Sequence, residues 1–336
     1  MRRPLFPALA LTAALAACGH GSVIGSGPLP TPTPVPLHVS AEFTVPTANS
    51  GPLGIVTSPN GFLFFTEHNA GKLGTMTTGG SFSEYPLKAG AASGPADITV
   101  GPDNNLWFTE TTANRIGMFV PGPNTNTDFP LLTPNAGASF ITRGPDRALY
   151  FTETTANKLG RISTNGTVSE YPIPNANAGL AGLVTGPDGG VWILEKTLSK
   201  IIRFDVPSLS FGTPISTLTA NAGPYQIVNG PDGALWFTES NVDKLARLTT
   251  SGIMSETPLA PATTATNIIV GADNNFYFAD PTGNRIGRVI IGPPIAVSVY
   301  PIPTVAAQPG FLVIGPDFKI YFTETGANKI GQFTYF

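Results

Sequence analysis

Short apolar runs recur along the chain at a nearly constant interval, each bounded by Gly, Pro, Asn or Asp. In one unit, residues 98–100 lead into Gly101-Pro102-Asp103-Asn104, then Leu106-Trp107-Phe108-Thr109, a turn at 111–114, a run at 115–120 and, after a loop, a run at 127–132. Runs of this length, rich in β-branched and aromatic residues and separated by turn formers, predict four antiparallel strands. Pro130 has no N–H to give a ladder, which places the fourth strand at a sheet edge.

The unit occurs seven times. Its best-kept feature is an acid followed five positions later by a base: Glu67/Lys72, Glu110/Arg115, Glu153/Lys158, Glu195/Lys200, Glu239/Lys244, Asp280/Arg285 and Glu324/Lys329, spaced 41 to 44 residues apart. A period of this size with four strands per unit marks a propeller blade. The expected fold is therefore all-β, a seven-bladed β-propeller of four-stranded antiparallel blades over residues 41–336. The fourth-strand motif also occurs seven times, from Glu42-Phe43 to Val299-Tyr300 with a degenerate copy at Ile215-Ser216, but its first copy precedes the first complete unit. Because the chain ends on a third strand, residues 41–45 are expected to close the ring beside 332–336, removing an open seam. Aromatic residues two or three positions before each acid, such as Phe64-Phe65, Trp107-Phe108 and Trp236-Phe237, suit the wedge between blades.

Composition adds a leader and removes a partner class. Charged residues are 12% of the chain, with 38 Gly, 34 Pro and a formal net charge of −3. The only basic run is Arg2-Arg3, so there is no electrostatic footprint for nucleic acid. Residues 1–17 read as an export signal, and Leu15-Ala16-Ala17-Cys18 resembles a lipobox. Cys18, the only cysteine, is the expected lipidation site, and residues 18–40 form a Pro/Thr-rich tether. The expectation is an exported, monomeric lipoprotein held to a membrane of the bacterial cell envelope.

Each acid falls opposite the start of an inner strand, which would gather seven carboxylates near the channel mouth. The base five positions on lies across the next turn, within reach of its own acid or the neighbouring blade's, and is expected to neutralise the ring. The alternative is that one or two acids serve a metal or a substrate.

The units GPDGALWFTESNVDKLARL and GPDRALYFTETTANKLGRIS, the latter followed by SEYPIP after a short turn, resemble the repeats of the virginiamycin B lyase family across residues 41–336. The resemblance implies Mg²⁺ and a histidine base that open a cyclic depsipeptide at its ester by elimination. Its signature histidine lies fourteen residues before the repeat acid, with a metal-binding Glu two residues earlier. In this sequence the histidine position holds Leu53, Ala96, Ser139, Ala181, Tyr225, Thr266 and Gly310, and the Glu position Gly51, Gly94, Gly137, Gly179, Gly223, Thr264 and Gln308. Neither set contains the required residue.

Glu67 and His68 are the weak catalytic candidates that remain. Residues that depart from the repeat are better binding candidates: Asp97, Phe140, Tyr225, Gln226, Asn267 and Phe311, all expected at the channel mouth. The reading is a non-catalytic module that binds a small molecule, glycan, peptide or protein there. Its rivals are a Mg²⁺-dependent lyase acting on streptogramin B antibiotics and a structural envelope protein.

Overall fold

A computed structural model describes residues 37–292 and 295–335. The leader, Cys18 and most of the tether lie outside them.

The described chain forms seven antiparallel sheets in sequence order. The second comprises Pro95–Val100, Leu106–Glu110, Arg115–Val120 and Thr125–Pro130. In the fourth sheet the outer strand breaks into Ser210–Phe211 and Ile215–Ser216, both paired with Lys200–Asp205, at the place of the degenerate motif. First strands of successive sheets pack on one another around a ring, with Pro52–Thr57 of the first meeting Pro309–Ile314 of the seventh. The seventh sheet takes its outer strand from the start of the propeller: His38–Thr44 pairs antiparallel with Lys329–Thr334, Glu42 opposite Gly331. The closing strand begins three residues earlier than the hydrophobic pattern suggests, and includes His38.

The Gly-Pro-Asp turns form because their aspartate has a second use. Asp103 Oδ1 accepts the Trp107 indole N–H at 3.0 Å, and Asp188 and Asp232 do the same for Trp192 and Trp236. Where the aromatic is tyrosine, its hydroxyl donates instead, Tyr321 to Asp317 at 3.0 Å and, in a Gly271-Ala272-Asp273 version of the turn, Tyr277 to Asp273 at 2.9 Å. The turn thus fixes the rotamer of a buried ring four residues on. Trp107, Tyr150, Tyr277 and Tyr321 are fully buried.

In four units the residue before the base is an asparagine that joins its blade to the next. Asn114 donates to Thr133 O at 2.9 Å and accepts from Ala136 N at 2.7 Å, so one amide holds both ends of the linker to the next blade. Asn157, Asn284 and Asn328 repeat the clasp, Asn328 across the closure to Thr47 O and Ser50 N. These asparagines adopt positive φ of 50 to 58°, a conformation asparagine tolerates better than most residues.

Candidate functional site at the channel mouth

The site grows from an irregularity shared by the inner strands. In six of them the register slips by one between the first and fourth residues, for example between Pro95, opposite Glu110, and Ile98, opposite Phe108. Such a bulge sets two residues against one and re-aims their side chains. In five units a threonine precedes the acid and holds the inner strand: Thr109 Oγ1 accepts from Asp97 N at 3.1 Å and donates to Ser139 O of the next blade at 2.9 Å. Thr66, Thr238 and Thr323 do the same around the ring. A recurrent threonine, replaced by Leu194 and Ala279 in the fourth and sixth units, thus supports positions whose side chains vary.

Those variable positions meet. Asp97, Phe140, Tyr225 and Phe311 line one cavity of 190 Å³ together with Leu53 and Ser139. Tyr225, Asn267 and Phe311 line a second of 200 Å³, which shares Leu53 with the first. Phe140 meets Tyr225 edge-on at 5.6 Å between centroids and Phe311 at 6.1 Å. Gln226 lines neither cavity; its buried Oε1 has no donor among the described residues and occupies the space a side chain at Gly182 would need.

The polar members of the site are anchored to backbone. Asp97 accepts from Ile98 N and from Ile141 N of the next blade, each at 2.9 Å. Burial pushes its pKa up to about 7 despite these two donors. Asn267 plays the equivalent part further round, accepting from Leu312 N at 2.9 Å. Burial, then the charge of Asp97, raises the Tyr225 pKa.

One residue at this mouth is absent from the sequence-based candidates. The position after each acid holds His68, Thr111, Thr154, Lys196, Ser240, Pro281 and Thr325. Thr111, Thr154 and Thr325 donate to the first inner-strand carbonyl of the following blade, and His68 Nδ1 lies 3.0 Å from the corresponding Pro95 O. A carbonyl only accepts, so His68 carries its proton on Nδ1 and serves as a blade-to-blade tie. Lys196 instead places its ammonium over the Tyr225 ring, 4.6 Å from the centroid. Its departure from a mostly hydroxyl-bearing column was the available signal.

The acid–base ring differs from expectation. Glu67, Glu110, Glu153, Glu195, Glu239, Asp280 and Glu324 are completely buried, so they do not present carboxylates to the channel. Only Arg285 pairs with its own acid, Asp280, at 2.6 Å. The other ion pairs made by this set of bases go to the outer strand: Lys72 to Glu84, Arg115 to Asp128, Lys158 to Glu170 and Lys244 to Glu256, at 2.5 to 3.1 Å. The third strand lies between second and outer strands, and the outer acid is the more accessible partner. Both oxygens of Glu153, Glu239 and Glu324 lack a donor among the described residues, and the Ser50 and Ser93 hydroxyls beside Glu67 and Glu110 offset little of the burial. Burial first, and repulsion from the outer-strand acid second, raises the pKa to about 7 for Glu67, Glu110 and Glu239 and about 8 for Glu153 and Glu324.

The residues do not fit a Mg²⁺ site of the kind the resemblance implies. No group of three His, Cys, Asp or Glu side chains suited to a metal occurs among the described residues. Gly51, Gly94, Gly137, Gly179 and Gly223 have positive φ of 54 to 71°, and a Cβ built on Gly94 would lie 2.2 Å from Thr112 Oγ1. A larger surface hollow of 320 Å³ between Asp146, Asp188 and Arg203 is internally neutralised, with Arg203 paired to Asp188 and Asp205.

The sequence profile of the virginiamycin B lyase family matches residues 35–209 and 211–335. Virginiamycin B lyase from Staphylococcus aureus superposes with a TM-score of 0.82 at 30% identity, over 88% of this chain and 99% of that one. A catalytically inactive histidine-to-alanine variant of that enzyme with quinupristin gives the same values. Hydrazine synthase from Kuenenia stuttgartiensis, 14% identical, matches with a TM-score of 0.69 over 85% of this chain and 96% of its own, a likeness of fold alone. No curated protein sequence matches the chain.

Proposed function

The chain belongs to the virginiamycin B lyase family, and we propose that within it this protein is a non-catalytic binder, taking a small ligand at the channel mouth. The observation that carries the reading is the convergence of Asp97, Phe140, Tyr225 and Phe311 on one cavity, on bulges where the family's histidine and glutamate positions hold other residues. Aromatic walls with a few fixed polar groups are the usual make-up of a small-molecule site. The staphylococcal relative loses activity with a single histidine. Here the only histidines among the described residues are His38, in the closing strand, and His68, which ties two blades. Elimination requires a base beside the scissile ester, and neither histidine lines the cavities. Fold likeness does not supply the missing group.

Family membership favours one rival, ring opening of a streptogramin B. The lipobox-like Leu15-Ala16-Ala17-Cys18 further supports an exported lipoprotein anchored through Cys18. One preparation of the full chain from a bacterial host tests both. Its intact mass should show acylation at Cys18, and incubation with quinupristin and Mg²⁺ should leave the antibiotic cyclic. Elimination does not change the antibiotic's mass, so the readout is chromatography with fragment spectra. A linear product that disappears in His68→Ala would replace the binding proposal with the lyase.

A further inference from the structure

Lys196 is an ammonium placed where its charge is poorly compensated. The side chain is half-buried and lies over the Tyr225 ring, and its Nζ makes no ion pair or hydrogen bond among the described residues. Burial holds its pKa below the ordinary lysine value, with no neighbouring carboxylate to offset the cost. The ring face supplies part of the lost solvation, since the quadrupole of an aromatic attracts a cation placed over it. It does not supply a counter-charge.

Asp97, the carboxylate in the cavity wall, is already committed. Its two oxygens accept from Ile98 N of its own strand and Ile141 N of the next blade, and the second bond holds adjacent inner strands together. The mouth therefore combines three rings, Phe140, Tyr225 and Phe311, with one unsatisfied positive charge. A cationic ligand would meet Lys196 at the Tyr225 face. A neutral apolar ligand would leave the ammonium as it is.

Resting on the binding reading above, we infer that the channel mouth selects a small aromatic anion, its ring against Phe140 and Phe311 and its carboxylate or equivalent acid group on Lys196. Cavities of 190 and 200 Å³ that share Leu53, Tyr225 and Phe311 suit one or two fused rings, below the ~300–1,000 Å³ typical of drug-sized ligands.

Three probes of one shape separate charge from shape: 2-naphthoate, the neutral 2-naphthamide and the cationic 2-naphthylmethylammonium, titrated calorimetrically into the full chain at low salt. Naphthoate should bind at least about tenfold more tightly than naphthamide, with an affinity that falls as salt rises. Lys196→Gln should erase that preference while Lys196→Arg retains it, and Tyr225→Ala should weaken all binding. Thermal melts of each variant show that it is folded. Equal binding of the three probes would overturn the anion assignment while leaving the pocket. Tightest binding of the ammonium probe, or a preference for naphthoate that survives Lys196→Gln, would also overturn it. Binding of none would overturn both this inference and the aromatic pocket beneath it.

Discussion

A carboxyl group buried without a donor is stable chiefly as the neutral acid, because desolvation penalises only the charged form. Glu153 is such a group: its ordinary value of 4.5 is raised to about 8 by burial and then by repulsion from Glu170. Protonation therefore favours the folded chain, and the stability contributed by this carboxyl is complete below about pH 4.5 and is lost as pH rises through about 8. The outer acids Glu84, Glu170 and Glu256 behave oppositely. Hydrogen bonds from Thr47, Thr133 and Thr219 and from the paired lysines lower their pKa values, despite desolvation as the largest opposing cause. Their contribution is present above the ordinary carboxylate value and fails only as pH drops below it. The two windows are separate, so the neutral-to-alkaline limb reports the inner acids. Glu153→Gln is neutral at every pH and should be more stable than the parent at pH 9 by on the order of 1–3 kcal/mol, a gain that shrinks towards pH 5. Thermal melts across that range check it, and equal or lower stability of the variant at pH 9 would refute it.

At the scale of the strand, the repeat keeps a volume rather than a residue. Third-strand Gly74, Gly117, Gly160, Gly287 and Gly331 stand directly opposite second-strand Phe65, Phe108, Phe151, Phe278 and Phe322. A Cβ on Gly117 would come within 2.2 Å of the Phe108 ring. In the fourth blade both partners change together, to Ile193 and Ile202. Gly117→Ile alone should therefore cost ~1–3 kcal/mol or more by overpacking, and Phe108→Ile alone should leave a void. The double variant should be more stable than the sum of the two losses predicts, as a denaturation cycle would show; strict additivity would disprove the coupling. Periodicity revealed blades, turns and closure because strand alternation and Gly-Pro-Asp chemistry are local. It could not assign the partners of the bases, since the Lys72–Glu84 choice depends on which strand lies on which side of the third. Nor could it show that Thr109 and its equivalents hold bulges, because a recurrent threonine in a strand reads as propensity. Asp97, Phe140, Tyr225 and Phe311 were legible as departures from the repeat. Lys196 departs equally, but its importance depends on reaching the next blade's Tyr225.

Around the ring, Asn clasps and Thr ties recur between successive blades, so stability depends on having no open end. The closing strand carries a network of its own: Ser40 donates to Gln332 Oε1 at 2.8 Å, and buried Gln332 donates to the Tyr321 hydroxyl at 2.6 Å. Glu42 accepts from Thr304 N at 3.2 Å, the place filled in other blades by Glu84 or Glu170. Removing residues 38–44 would strip the ladder from Lys329–Thr334, take the Ser40 donor from Gln332, and expose the apolar seam around Phe333 and Tyr300. A propeller protects itself from edge pairing by closure, and an opened ring acquires an unpaired third strand. The truncated chain should melt well below the parent and associate at high concentration. Removing residues 19–35 should leave the melting temperature within about a degree or two, because their Pro-Thr alternation carries no strand or helix period with which to join a cooperative core. Differential scanning calorimetry with light scattering on both truncations decides the matter. Equal melting temperatures would mean that the seam is held by side-chain packing between first and seventh blades, and that the closing strand is dispensable.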